Sequence, residues 1–357
     1  MKKICLDKKV CELHESIRFD THKDAYIGIV EAFRGFWGCG AEVVSAEIYA
    51  PKSFYEIVEP LGNSNFPVNW ICPLDEDAQP TLAGIHFVAV AGTEVKFVKT
   101  SFGAKAAVYE DENNVYCRTF GIYSPLGNGD PYAHTHSNLE QLESVLNECG
   151  FKWTDAVRTW FYNDDILAWY PDFNRARTEF FKNRKTFDGL LPASTGIGAP
   201  NPAGKKMESG VFAIKSKSGK RGGDADFVSE LPSPLQGGAT SYGSSFSRAI
   251  EIFAQRSNRI MISGTASIDA EGKTANVGDI AAQVRQTLAV IEGILKSRGM
   301  GFENTINSVV YCLRPEYLKV FDAWNKEHKI PFCPSNSTVC RSDLLFEIEL
   351  EAAVNKQ

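Results

Sequence analysis

The chain has 357 residues, 43% hydrophobic, 23% charged and 11% aromatic, with a formal net charge of −6. That is a globular composition with room for two or three domains, and an acidic chain without a basic run argues against nucleic acid as partner. No stretch approaches the roughly 20 apolar residues of a membrane span, and the opening Met1-Lys-Lys-Ile-Cys-Leu-Asp-Lys-Lys lacks a signal-peptide core.

Nine scattered cysteines without a Cys-x-x-Cys pair point to reduced thiols in a cytoplasm. His134-Thr-His136 resembles half a metal site, but no partner set stands at metal spacing. A turn following Gly127-Asn-Gly-Asp-Pro131 is expected there, with no metal or other cofactor.

Taken in order, residues 29–37 read as the end of a helix capped by Gly38-Cys-Gly40, and 43–49 as a strand. A short helix at 54–58 and a closing strand at 87–90 follow, with no front hairpin ahead of them. From residue 115 the order is clearer: a strand at 115–124, a helix at 139–149 ended by Gly150, an aromatic strand at 156–162 and a helix at 172–181. Pro192-Ala-Ser-Thr-Gly-Ile-Gly198 and a closing strand from 211 complete it. Residues 215–243, rich in Lys, Gly, Ser and Pro, are too long and irregular for a plain connector. They are expected to fold over a cleft and to end in Ser245-Phe-Ser-Arg248-Ala.

The last unit repeats the pattern. A strand at 259–268 leads to a helix opened by Gly278-Asp279, with Ile280, Val284, Leu288, Ile291 and Leu295 at helical spacing. A strand at 306–313, a helix at 317–328 and a closing strand follow. In that strand Phe346, Ile348 and Leu350 alternate with Glu347, Glu349 and Glu351, so the carboxylates share one face. Such a face either lies in water or lines a cleft where burial raises one pKa until the acid can deliver a proton.

Each unit is an α+β sandwich, a mixed sheet covered by two helices. The expected division is an N-terminal α/β region at 1–112 (a degenerate copy or an unrelated cap), a unit at 113–216, a connecting loop at 217–249 and a C-terminal unit at 250–357. Three copies would let one chain imitate a trimer; assembly into a homo-oligomer is the other arrangement.

The repeating unit resembles the reactive-intermediate deaminase (RidA-like, YjgF-type) family, with its chorismate-mutase-like fold. The resemblance rests on Ser263-Gly264, on Gly278-Asp-Ile-Ala-Ala-Gln-Val-Arg-Gln-Thr-Leu288 and on the Pro334-Ser-Asn-Ser-Thr-Val339 … Glu347-Ile-Glu349 ending. The deaminases of that family carry an arginine two residues after this proline. Asn336 and Ser194 stand there in the last two units.

Over its last 165 residues the chain looks more like the chorismatases, larger enzymes that end in a RidA-like domain. The matching segments are Pro192-Ala-Ser-Thr-Gly-Ile-Gly198, Ser245-Phe-Ser-Arg-Ala249, Ile262-Ser-Gly-Thr-Ala-Ser-Ile268 and Cys340-Arg-Ser-Asp-Leu-Leu-Phe-Glu-Ile-Glu349. The resemblance implies a cofactor-free enzyme that removes the enolpyruvyl group of chorismate as pyruvate, leaving a hydroxybenzoate or a dihydroxycyclohexadiene carboxylate. It places the proton-donating acid at Glu347 and a product-steering residue at Cys340. A substrate with two carboxylates calls for guanidinium forks; Arg248 and Arg341 are the candidates, with Arg158 and Arg118 behind them. Tyr242, Ala239, Thr195, Gly196 and Glu349 complete the expected binding set. In two places the chain departs from the family: Ala239-Thr-Ser-Tyr-Gly-Ser-Ser is a shorter and less basic segment, and Asn174-Arg175-Ala-Arg177 replaces a Gly-Arg pair. The alternatives are a RidA-like module that binds a metabolite or partner protein without catalysis, and an imine deaminase.

Overall fold

Three mixed sheets are laid down one after another along the chain. The computed structural model describes residues 1–127, 129–218, 227–239 and 243–356. The first unit runs β1 (Lys2–Cys5), β2 (Cys11–Arg18), α1 (His22–Gly38), β3 (Ala41–Tyr49), α2 (Tyr55–Gly62), β4 (Val68–Ile71) and β5 (Gly84–Ala91). The second runs β6 (Lys96–Lys99), β7 (Lys105–Glu110), β8 (Asn114–Tyr123), α3 (Pro131–Glu148), β9 (Ala156–Asn163), α4 (Ile166–Asn183), β10 (Ala193–Gly198) and β11 (Met207–Ser216). The third runs β12 (Val228–Leu231), β13 (Ala249–Phe253), β14 (Ser257–Ala266), α5 (Ile280–Lys296), β15 (Thr305–Cys312), α6 (Leu318–His328), β16 (Cys333–Asn336) and β17 (Phe346–Asn355).

Spatially each sheet has the same plan. A front hairpin (β1–β2, β7–β8, β13–β14) pairs with the closing strand (β5, β11, β17). That strand pairs with the one after the first helix (β3, β9, β15), and a short parallel strand (β4, β10, β16) forms the far edge. The second and third sheets gain an outer strand, β6 and β12. The first unit is therefore a true copy. Its front hairpin, expected to be missing, is β1–β2. Alternation is hard to read there because β2 buries polar side chains, Glu12 and His14 among them. β6 and β7, assigned from the sequence to the N-terminal region, pair into the second sheet.

Local chemistry also moved some boundaries. Asp130 caps α3 by accepting from Ala133 N, with Pro131 in the first turn, so the helix begins eight residues before its apolar periodicity. The His134 pair thus lies on a helix rather than in a turn. His134 is buried with Nδ1 3.2 Å from Ser124 Oγ, and His136 lies 3.5 Å from Glu140. Asp165 caps α4, which carries Pro171 within it and so starts before residue 172.

The helix-facing side of each sheet closes a separate apolar core. The other three faces share one central cluster, to which the units contribute Tyr49, Trp160, Tyr162, Met261 and Tyr311 among others. Tyr49 stands opposite Gly84, Tyr162 opposite Glu208 and Tyr311 opposite Glu347. The Tyr49 and Tyr162 hydroxyls lie 3.0 Å apart, and those of Tyr162 and Tyr311 3.4 Å apart. These matched tyrosines mark a pseudo-threefold axis.

The acidic face of β17 points into this centre, not into water: Glu347, Glu349 and Glu351 are only 5, 6 and 8% exposed. Buried carboxylates require partners. Arg259 donates to both Glu351 and Glu12, and Arg118, Tyr109 and His14 also reach Glu12, at 3.3, 2.7 and 3.1 Å. Arg118 is thereby committed to the interior, away from any cleft.

Candidate active site

Among the described residues it is Glu347 of the three glutamates that lines a cleft, at the junction of the second and third units. A bulge positions it. The β14–β17 register slips between Ile262 and Thr265, at Ser263-Gly264, and such a bulge bends a strand and re-aims its side chains. The Glu347 carboxyl fills the space over Gly264: a Cβ there would lie 2.1 Å from Glu347 Oε1 and 3.2 Å from the Thr195 methyl. Only glycine leaves room for the acid.

The cleft is walled by Tyr170, Phe173 and Arg177 of α4, Ser194 and Gly196 of β10, Phe246, Arg248, Ala266, Ile268, Cys340 and Arg341. It encloses about 510 Å³ with its mouth included, but water centres fit in only about 40 Å³ of this, so it is narrow. Burial, and next the charge of Glu349, push the Glu347 carboxyl up to about 8, while Arg158 and Arg248 pull the other way. Glu347 is therefore a protonated acid at neutral pH.

Thr195 and Glu349 act one layer back. Arg158 Nη2 donates to Thr195 Oγ1 at 2.6 Å and to Glu349 at 2.8 Å, Trp160 Nε1 donates to Glu349 at 3.0 Å, and Gly264 N donates to Thr195 Oγ1 at 3.1 Å. One arginine thus links the neighbour of the acid to the strand across the cleft. Arg248 is buried, its Nε bonded to the Gly237 carbonyl at 3.0 Å, and the half-buried Arg341 donates to the Gly272 carbonyl at 2.9 Å. Cys340 is pushed up to about 12, first by burial and then by Glu347, so it remains a thiol. Ala239 is buried and its carbonyl accepts from Ser244 N at 3.1 Å, but it does not line the cleft. Tyr242 lies outside the described residues.

Two cleft residues stood outside the expected binding set, Arg177 having been noted only in the segment that replaces a Gly-Arg pair. Arg177 is almost fully buried under Phe173 and Phe246, with Nη2 2.7 Å from Asn174 Oδ1 and Nη1 3.4 Å from Ser194 Oγ. A guanidinium thus reaches Ser194, where the deaminase arginine would stand, from a helix instead of a strand. The other is Tyr170, which bonds the Cys340 thiol and lies 3.1 Å from Ser244 Oγ. Its place four residues before Asn174 gave no helical signal, because Pro171 interrupts the pattern. Among the described residues no group of three His, Cys, Asp or Glu could hold a metal ion.

The same register position recurs in the other units with different outcomes. In the second unit it holds Glu208, also buried and pushed up to about 8 by burial. Tyr123 replaces Ala266 beside it, and Trp70 of β4, whose backbone N–H donates to Glu208 at 3.3 Å, replaces Gly196. Aromatic rings occupy the positions that are small in the open cleft. In the first unit the position is Gly84, packed against Cys333 of the third unit.

Comparison with known proteins agrees with this architecture. The family model described as Endoribonuclease L-PSP matches residues 241–354. A crystal structure of a chorismatase superposes over 97% of this chain and 99% of its own, with TM-score 0.68 at 16% identity. The class is therefore a chorismatase-type fold built in one chain from three RidA-like units. Within it, the chain is 27% identical over 243 residues to 3-hydroxybenzoate synthase of Streptomyces hygroscopicus, covering 60% of this chain and 68% of that one. No helix among the described residues is long and apolar enough to cross a membrane.

Proposed function

We propose that the chain cleaves the enolpyruvyl ether of chorismate, or of a close relative, to pyruvate and a hydroxybenzoate or dihydroxycyclohexadiene carboxylate. The observation that carries the reading is a protonated Glu347 held over Gly264 in a cleft that also presents Arg177, Arg248 and Arg341. An enol ether is stable until its terminal methylene is protonated. Glu347 delivers that proton, and the adjoining ether carbon becomes an oxocarbenium-like centre. Water adds to it and gives up a proton to the Glu347 carboxylate, and the hemiketal collapses to pyruvate and the dihydroxy acid; loss of water from that acid would leave the hydroxybenzoate. A bound dianion favours the protonated carboxyl further, since negative charge nearby raises an acid's pKa. The guanidinium groups offset the substrate's charge and fix its orientation. Cys340, an uncharged thiol on the same wall, would bias whether the dihydroxy acid is released or loses water.

The test is incubation with chorismate followed by a coupled assay for pyruvate. Glu347→Gln should reduce release by about 10²–10⁴-fold while the protein remains folded. Undiminished turnover removes Glu347 as the acid. Absence of pyruvate from the unaltered chain, with binding of a hydroxybenzoate retained, would favour the non-catalytic binding module.

A further inference from the structure

The N-terminal hairpin brings together two of the cysteines, far from the cleft chemistry. Cys5 of β1 stands directly opposite Cys11 of β2, and their sulfurs are 3.5 Å apart. This is a non-hydrogen-bonded position of the ladder. One step nearer the turn Leu6 N donates to the Val10 carbonyl at 2.9 Å, whereas the Cys5 N–H turns away from β2 to Asn355 Oδ1 at 2.8 Å. Such positions hold opposed Cα atoms about 4.5 Å apart, inside the span of a disulfide. Side-chain rotation alone can close the remaining gap, and both residues are partly exposed.

We propose that Cys5 and Cys11 form a reversible disulfide when the protein meets a low-molecular-weight disulfide oxidant such as oxidised glutathione. The Cys5 thiolate attacks one sulfur of the oxidant, and the departing thiolate takes up a proton. The Cys11 sulfur, giving its proton to solvent, then attacks Cys5 Sγ in the mixed disulfide and expels the second thiol. The protein loses two hydrogens and the oxidant becomes two thiols. Cys11 reacts second because burial, and next its hydrogen bond to Cys5, push its thiol up to about 11.

The bond would form where the units meet. In the hairpin turn Asp7 Oδ2 accepts from Glu112 N of the second unit at 2.8 Å, and the Leu6 carbonyl accepts from Arg256 N of the third at 3.1 Å. Asn355, near the end of β17, also ties its side-chain amide to the Lys3 carbonyl at 3.1 Å. The disulfide would therefore brace the contact between the first unit and the other two.

Lys8 and Lys9 lie between the two cysteines, so trypsin separates peptides 4–8 and 10–18 unless the disulfide joins them. The full-length protein is exposed to oxidised glutathione until the exposed Cys39 has reacted, blocked with an alkylating agent and digested without reductant. The expected product is peptide 4–8 linked to 10–18, released by dithiothreitol and absent from Cys5→Ser and Cys11→Ser. The oxidised protein should melt a few degrees higher than the reduced one, a shift that Cys11→Ser loses. Recovery of both peptides alkylated, after Cys39 has been consumed, would overturn the proposal. So would a linked pair with no shift in melting, for the bracing role.

Discussion

Glu349→Gln tests whether a neighbouring charge keeps Glu347 protonated. Two residues along a strand put the two carboxylates about 7 Å apart, and at an effective dielectric near 20 their repulsion is about 2.4 kcal/mol, or roughly 1–2 pH units. Glutamine keeps the shape and an oxygen for Arg158 and Trp160, which donate to Glu349 at 2.8 and 3.0 Å, but it removes the charge. The pKa of Glu347, pushed up to about 8, should then fall toward 6–7. Leaving the Arg158 charge uncompensated acts in the same direction. The assay is pyruvate release between pH 5 and pH 9. The alkaline limb of kcat/KM should move down by about 1–2 units, with activity near that of the unaltered protein at pH 5.5 and roughly tenfold lower at pH 7.5. An unmoved limb, in a variant whose melting curve shows it folded, would refute the claim that Glu349 sets the acid's protonation.

Three other changes probe the same geometry. Gly264→Ala puts a methyl where the Glu347 carboxyl lies and should cost at least about a hundredfold in kcat, as misplacement of a reacting group does; full activity would show that the acid does not need that seat. Cys340→Ala should shift product from hydroxybenzoate toward the dihydroxy acid, measured by chromatography of the aromatic products, and an unchanged ratio would remove its steering role. Glu208→Gln should leave pyruvate release unaltered, since Tyr123 and Trp70 flank that acid. Its folded pKa of about 8 lies above its ordinary 4.5, so the glutamate's contribution is complete below pH 4.5 and is lost as the pH climbs to 8. The glutamine variant should therefore gain on the unaltered protein across that window, by an amount on the order of a few kcal/mol at pH 8. Denaturant midpoints at pH 5 and pH 8 decide it.

The alternation of Phe346, Ile348 and Leu350 with three glutamates, and the helical spacing of Ile280 to Leu295, made the third unit legible because its outer layers obey the simple periods. The front hairpin of the first unit was not, since Glu12 and His14 occupy inward positions that pattern reading assigns to solvent. The neutralising partners of Glu12, Arg118 and Arg259, lie more than a hundred residues away and leave no local trace. The same holds for the cleft. Glu347, Arg248, Arg341 and Cys340 stand within quotable motifs, whereas Arg177 and Tyr170 depend on how α4 docks across β10, and Pro171 hides the start of that helix. Thr195 and Glu349, expected in the binding set, lie one layer from the cleft. Both accept from Arg158, and the charge of Glu349 is second to burial in raising the Glu347 pKa.

Joining three units in one polypeptide changes what a single substitution can do. In a ring of identical subunits a bulky side chain that plugs one junction plugs every junction, and a protein that needs the pocket loses it altogether. Here Tyr123 and Trp70 can crowd one junction, and Cys333 can press on Gly84 at another, while Gly196 and Ala266 leave the last one free. Covalent linkage lets each junction be packed on its own terms, so that two can take larger side chains while the third keeps its cleft.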